Sequence, residues 1–421
     1  MRSRGAGRES EGRNMNTFSL FAVRGHERLI LPGAMVLGGL FALLFSFGAF
    51  YFYLLFLVLA GAERKPDRFL VLAACISAVI VMGPLIALKL PIQDGGNDKL
   101  QYFDFMYKMQ SLGIWQYMIR QPEIVSFSVL HGAASLVGIT DTAFLLIFVV
   151  FFSWLLAVIW REQYQAIPLF LVLLLSSSSF FGTYGNLMRQ SMAFPLLFMA
   201  IFSPSRRTAG LVVVLAGLTH IPSLIVGVPF LLYRWFGRIV IWCSLALTAI
   251  TIVVSKLAPG LFAASGNDDS YLSNKINLYT TWDAYSIAGV AAVAFAIFLL
   301  SNGLWRRRER WWRGSMDSGY HGLRHCLVMM NFAALALVAT YDLAKVFERI
   351  YIYFFVIALM YLSLCMVHVR RGPFKALILL AAIAYGVYGF AKNLSIQPLL
   401  YAGDPIAFLT ASLFGMYSHF M

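Results

Sequence analysis

The sequence predicts an all-α integral membrane protein, a polytopic helical bundle of about 10–12 transmembrane helices. Three observations carry this. Of the 421 residues, 60% are hydrophobic and 12% charged, with a mean hydropathy of +0.76; soluble domains run at about 45–50% apolar and about 25% charged. Residues 163–188 and 208–233 contain no Asp, Glu, Lys or Arg, and ~20 apolar residues are enough for a helix to cross a bilayer. Basic residues recur in short clusters between the apolar runs. In lipid the backbone must satisfy its own hydrogen bonds, so only helices or closed barrels span. Barrel strands would be shorter and would alternate, and these runs do neither.

In chain order, residues 1–28 carry six arginines and read as a flexible basic N-terminal extension, with Met15 an alternative start. Residues 29–421 read as a single polytopic membrane domain. The region 29–60 has room for one crossing. The basic clusters are Arg64-Lys65 with Arg68, Arg161, Arg206-Arg207, Arg234 with Arg238, Arg306 to Arg313, and Arg370-Arg371. The positive-inside rule places them in the cytoplasm, with the loop at about 305–324 the largest. The net charge of +14 is therefore a topology signal, and no nucleic-acid partner is expected. The less basic segments 91–139, 183–188, 259–283, 342–349 and 393–404 fall on the outside. Residues 99–119 mix aromatic and charged side chains and read as amphipathic outer-face helices. Asp268 and Asp269 mark a polar patch in the 259–283 loop.

The run 208–233 has a basic cluster at each end but about one helix length between them. Either one cluster is misplaced, or the run is two half-crossings that meet near His220 and Pro222. The second arrangement puts His220 at membrane depth beside a cavity.

Polar residues inside apolar stretches are costly and so mark candidate sites. Asn186, Arg189 and Gln190 stand at i, i+3, i+4 and would share one helix face. An arginine fork suits a phosphate, and the amides suit sugar hydroxyls. Asp98 and Tyr102 are i, i+4 neighbours; the carboxylate is a candidate general base, with Asp94 nearby. His220 is a proton-transfer or phosphate-binding candidate, or a core histidine. Asp342, Lys345 and Arg349, with Glu348, lead into the apolar run 350–369, as a site or as an internal ion-pair network. Glu123 precedes an apolar half-helix that it either caps or leaves to face the same cavity. Cys75, Cys243, Cys326 and Cys365 lie in apolar context and read as core residues rather than disulfides or ligands. No nucleotide-binding, HExxH or GxSxG motif is present. No metal or cofactor is expected, and an already activated substrate such as a diphosphate-linked lipid fits best.

In order along the chain, Gly96-x-Asp98-x-x-x-Tyr102, Pro122-Glu123 with Phe127, Asn186-x-x-Arg189-Gln190-x-x-Ala193, His220 with Ser223, and Phe347-Glu348-Arg349 with Tyr353-Phe354 resemble the EpsG family of Wzy-like polysaccharide polymerases. The family often reads Glu-Pro where this chain has Pro122-Glu123. The resemblance implies a GT-C-like glycosyltransferase in the bacterial inner membrane, with its site facing the periplasm or exterior. It joins oligosaccharide repeats carried on undecaprenyl diphosphate, alongside a flippase and a chain-length regulator of the same pathway. Arg189 and Arg349 would hold the diphosphate and Asp98 or His220 would take the proton. Asn186, Gln190, Tyr102, Glu123 and Lys345 would complete the substrate site, and grooves between helices would hold the prenyl tails. An O-antigen ligase or another prenyl-phosphate-dependent glycosyltransferase, a lipid-linked-sugar flippase and a membrane acyltransferase are the competing readings.

Overall fold

The structure is a computed structural model. It describes residues 46–63, 66–89, 98–119, 121–185, 187–257, 284–307, 320–341, 343–369, 372–396 and 411–420. At Asp98 and Lys345 it describes the backbone alone. The described residues are helical nearly throughout. Six helical stretches are long and apolar enough to cross a membrane, and five shorter apolar helices accompany them. This is a multi-pass membrane protein.

The helices α1 (Ser46–Glu63) and α2 (Arg68–Ala87) form the first antiparallel pair. Next come α3 (Asp98–Leu112) and the short α4 (Ile114–Met118), then α5 (Ile124–Val137) and α6 (Asp141–Gln163). A 3₁₀ turn at Tyr164–Ala166 leads into α7 (Ile167–Leu175), α8 (Ser178–Gly185) and α9 (Met188–Phe202). Then follow α10 (Arg206–Thr219), α11 (Ser223–Phe236) and α12 (Ile239–Leu257). The chain closes with α13 (Ala284–Arg306), α14 (Tyr320–Ala339), α15 (Ala344–His368), α16 (Pro373–Ile396) and α17 (Leu413–Tyr417). The core helix is α15, of whose apolar window 83% is buried; it packs most heavily on α14. Around it, α12, α13 and α16 expose Trp242, Leu247, Phe295, Leu377 and Tyr388. An apolar exterior around a buried apolar core is the surface a lipid solvent requires.

The basic clusters gather at one end. The Arg68 guanidinium lies 5.1 Å from the Tyr164 ring centroid, which joins the start of α2 to the end of α6. Arg234 Nη2 donates to the Pro204 carbonyl (2.9 Å) and Arg324 Nη2 to the Tyr233 hydroxyl (2.8 Å). The first turn of α1 lies at the other end, where Phe47 stacks on Phe390 of α16. Arg68 thus sits at the basic end, and Arg64 and Lys65 lie outside the described residues. The N-terminal extension and the loop at 259–283 lie outside the described residues.

The run 208–233 folds as two short helices joined by a turn at His220–Pro222. The helices α10 and α11 have 14 residues each, about 21 Å at 1.5 Å per residue, against a hydrocarbon core of about 30 Å. The pair starts at Arg206 and finishes at Phe236 on the basic side, with the turn between them away from it, and Arg234 closes the base. Pro222 helps set the turn, because it has no N–H to continue the α10 ladder; α10 ends at Thr219, and His220 after it is extended. Two glycines let the pair pack closely. A Cβ on Gly217 would lie 2.4 Å from Leu224 Cδ2, and one on Gly227 would lie 2.9 Å from Val213 Cγ1. Cysteines placed singly at Arg207 and Arg238, in a chain without its native cysteines, are expected to react with an impermeant thiol reagent from one side of the membrane. A cysteine at the exposed Thr140 should react from the other side; labelling of 207 and 238 from opposite sides refutes the hairpin.

One cysteine departs from expectation. Cys75, Cys326 and Cys365 are buried, but Cys243 is exposed. It lies on α12, whose outward face is apolar, so its apolar context is lipid-facing rather than core.

Candidate active site

At the end away from the basic clusters, α3, α5, α9, α15 and the α10–α11 turn converge. The amphipathic reading of 99–119 holds for α3. It buries Tyr102, Met106 and Met109 and exposes Leu100, Tyr107 and Leu112. These buried residues join Phe127, Leu130, Phe144, Met188 and Met192 in a second apolar cluster separate from the main core. Lys99 pins the start of α3. Its ammonium donates to the carbonyls of Ala87 (2.7 Å) and Lys89 (3.2 Å) and pairs with Asp141 (2.7 Å). Lys99 thus satisfies carbonyls left over at the end of α2 and fixes Asp98, the first residue of α3, near the site.

The centre of the site is an ion pair between Glu123 and Arg189. Arg189 Nη1 donates to Glu123 Oε2, and both side chains are largely buried. The Arg189 guanidinium lies 5.5 Å from the Phe127 ring centroid and 5.9 Å from those of Tyr102 and Phe105. The cation is therefore boxed by three rings, an arrangement that stabilises a partly desolvated charge. Glu123 precedes α5 but makes no capping bond with its side chain. Of its two expected roles the capping one does not form, and the side chain turns to Arg189 instead. Its second oxygen, Oε1, accepts from the Ile221 N–H (3.0 Å), which ties the half-crossing turn to the arginine.

Beside that turn, His220 is 2% exposed and its Nδ1 lies 2.7 Å from the Tyr353 hydroxyl. Tyr353 stands one turn along α15 from Arg349. Gln190 is fully buried; its Nε2 donates to the Arg349 carbonyl (2.8 Å). Gln190 Oε1 and Ser223 Oγ are buried without a hydrogen-bond partner among the described residues. Buried unsatisfied acceptors and donors are rare and cost about 1–3 kcal/mol each. Two of them beside a buried ion pair mark a place built for polar contacts.

The structure thus brings together Tyr102, Glu123, Arg189, Gln190, His220 and Arg349. Asn186, Asp94 and Asp342 lie outside the described residues. The expected single face for Asn186, Arg189 and Gln190 includes a residue outside the described ones. The helix α8 ends at Gly185 and α9 starts at Met188. Arg189 and Gln190, next to each other in the first turn of α9, turn to different partners. Tyr353 was not among the site candidates. Its signal was the i, i+4 spacing from Arg349, hidden in a run that reads as plain core.

A buried lysine adjoins the same junction. Lys89 is 2% exposed, and Phe181 of α8 offers its carbonyl at 3.5 Å. Burial pushes its amine down to about 8. Among the described residues no group of three or more His, Cys, Asp or Glu side chains could hold a metal ion. Chemically, the arrangement offers a fixed cation in a dry box, a carboxylate, and an imidazole whose orientation is set by a tyrosine. That suits an anionic group beside a proton transfer.

No curated protein and no solved structure matches the chain. The model of the EpsG family matches residues 74–402, a span that holds every residue of the site just described. The protein belongs to the EpsG family, which is linked to exopolysaccharide biosynthesis.

Proposed function

We propose that the protein is a polysaccharide polymerase that joins oligosaccharide repeats carried on undecaprenyl diphosphate. The observation that carries this reading is the Glu123–Arg189 pair in its aromatic box, at the end opposite the basic clusters. The basic end faces the cytoplasm by the positive-inside rule, so the site faces the outside of a bacterial inner membrane. A guanidinium has five N–H donors, more than one carboxylate oxygen consumes, and its fork matches a phosphate.

In the reaction, a hydroxyl of the incoming repeat attacks the anomeric carbon of the growing chain. The new C–O bond forms as the bond from that carbon to the diphosphate oxygen breaks. Undecaprenyl diphosphate leaves with the electron pair, and the hydroxyl proton passes to a base. Arg189, with Arg349 and Lys345 on the first turns of α15, meets the charge that develops on the leaving group. In a water-poor site such fixed cations act strongly. The base is Asp98 or His220. In the tautomer whose Nδ1–H donates to the Tyr353 oxygen, His220 would take the proton at Nε2. Gln190, Tyr102 and Asn186 line the substrate's path.

Turnover of purified lipid-linked repeat by the protein in vesicles tests this reading. Polymer ladders are expected from the wild type, and a strain lacking the protein should accumulate single lipid-linked repeats. Asp98→Asn keeps size and hydrogen bonding but cannot take a proton. It is expected to lower turnover by about 10²–10⁴ with insertion unchanged. Near-normal turnover moves the base to His220. Absence of any polymer from the wild type overturns the reaction.

A further inference from the structure

A second cavity adjoins the arginine box. It measures about 370 Å³ and is lined by Phe105, Lys108, Leu112, Gln116, Tyr117 and Gln121. Its wall is shared with the box, because Phe105 also meets the Arg189 guanidinium at 5.9 Å. Phe105, Tyr117 and Phe127 pack edge-on or tilted at 5.4–6.2 Å between centroids. The rings are thereby held rigid, with Phe105 and Tyr117 half-buried. Lys108 is paired with Asp104 at 2.5 Å. Gln121 stands two residues before Glu123.

The lining discriminates between ligand classes. A prenyl chain would strand two carboxamides against hydrocarbon, which costs hydrogen bonds. An anion would want several cations, and the one lysine here is half-exposed and already paired with Asp104. A sugar ring has an apolar C–H face and a rim of hydroxyls. Rigid aromatic walls suit the face, and carboxamides, each donor and acceptor, suit the hydroxyls. The volume lies at the small end of ligand pockets, about 300–1,000 Å³, which fits a short saccharide.

The geometry points to a saccharide subsite in this cavity, formed by Phe105, Tyr117, Gln116 and Gln121, that holds sugar of the repeat unit next to the Arg189 centre. This rests on the proposed polymerase reading and deepens it. It assigns selection of the repeat to α3, α4 and the segment before Glu123, and capture of the diphosphate to α9 and α15.

The test uses the full-length protein in nanodiscs. The probe is the phosphate-free oligosaccharide cut by partial acid hydrolysis from the producing strain's own polymer. Saturation-transfer NMR and calorimetry report its binding. Wild type is expected to bind and to transfer saturation to ring C–H protons. Gln116→Ala with Gln121→Ala should weaken binding by about tenfold, the loss of two neutral hydrogen bonds. Leu112→Trp, at an exposed position that fills the cavity, should abolish binding without unfolding the protein. No binding by wild type, or equal binding by the glutamine pair and Leu112→Trp variants, overturns the subsite. Polymerisation measured in the same nanodiscs separates the two readings. Pocket-dependent binding without polymerisation keeps the subsite and removes the reaction. Polymerisation with pocket-independent binding does the reverse.

Discussion

Replacing Glu123 and Arg189 together with methionine is expected to give a folded but inactive protein, whereas replacing either alone damages both folding and activity. The two side chains are held in a mostly buried pair, 66 residues apart in sequence. Breaking a buried pair by removing one partner typically costs about 3–5 kcal/mol, because the other charge is left uncompensated. Removing both leaves an apolar pair beside Tyr102, Phe105 and Phe127, which is often neutral or stabilising. Glu123→Gln should fall between, since its amide oxygen can still accept from Ile221. Arg189→Lys keeps the charge but loses the planar fork and its stacking. It is expected to lose nearly as much polymer as Arg189→Ala. Thermal melting in detergent and polymer length on gels report the two quantities separately. Full-length polymer from the double methionine variant would show that the pair serves folding alone.

His220→Ala is expected to cut turnover far more than it cuts solubilised protein, by about 10²–10⁴ where Asp98→Asn leaves turnover near normal. The imidazole Nδ1 is engaged by Tyr353, so Tyr353 decides which nitrogen is left to take a proton. Tyr353→Phe should therefore lower activity less than His220→Ala and alter the pH dependence of turnover. A histidine that only fills space would behave otherwise. Its truncation leaves a cavity and destabilises the fold, so activity and protein yield would fall together. Turnover per mole of folded protein, measured across pH for both variants, decides between the two.

Much of the architecture was written in the order of apolar runs and basic clusters. The half-crossing pair was legible because Arg206-Arg207 and Arg234 flank too short a run for two full helices, and Pro222 marks where it turns. Arg189, Glu123 and His220 stood out because charge in an apolar stretch is expensive. What joins them was not legible. The Glu123–Arg189 pair and the bond from Glu123 to the Ile221 amide are long-range, and no local spacing encodes them. Arg189 and Gln190 turn to different partners, Glu123 and the Arg349 carbonyl, which adjacency in sequence does not reveal. Lys99 looked like one charge among several in an amphipathic helix. It is 4% exposed because its stem follows α2 while its ammonium finds carbonyls and Asp141, a pattern set by tertiary packing.

The short reach of α10 and α11 sets a mechanical condition on this protein. A pair of helices about 9 Å shorter than the hydrocarbon they stand in cannot match the bilayer by tilting, which only shortens their span further. The lipid around the tip must dimple, or water must follow the polar turn inward. Mismatch costs fractions of a kcal/mol per Å, and that load falls on Ile221, which the carboxylate of Glu123 holds by its backbone amide. Bilayer thickness is thereby coupled to the position of the same carboxylate that orients Arg189, so the acyl-chain length of the host membrane becomes a variable of the site's geometry.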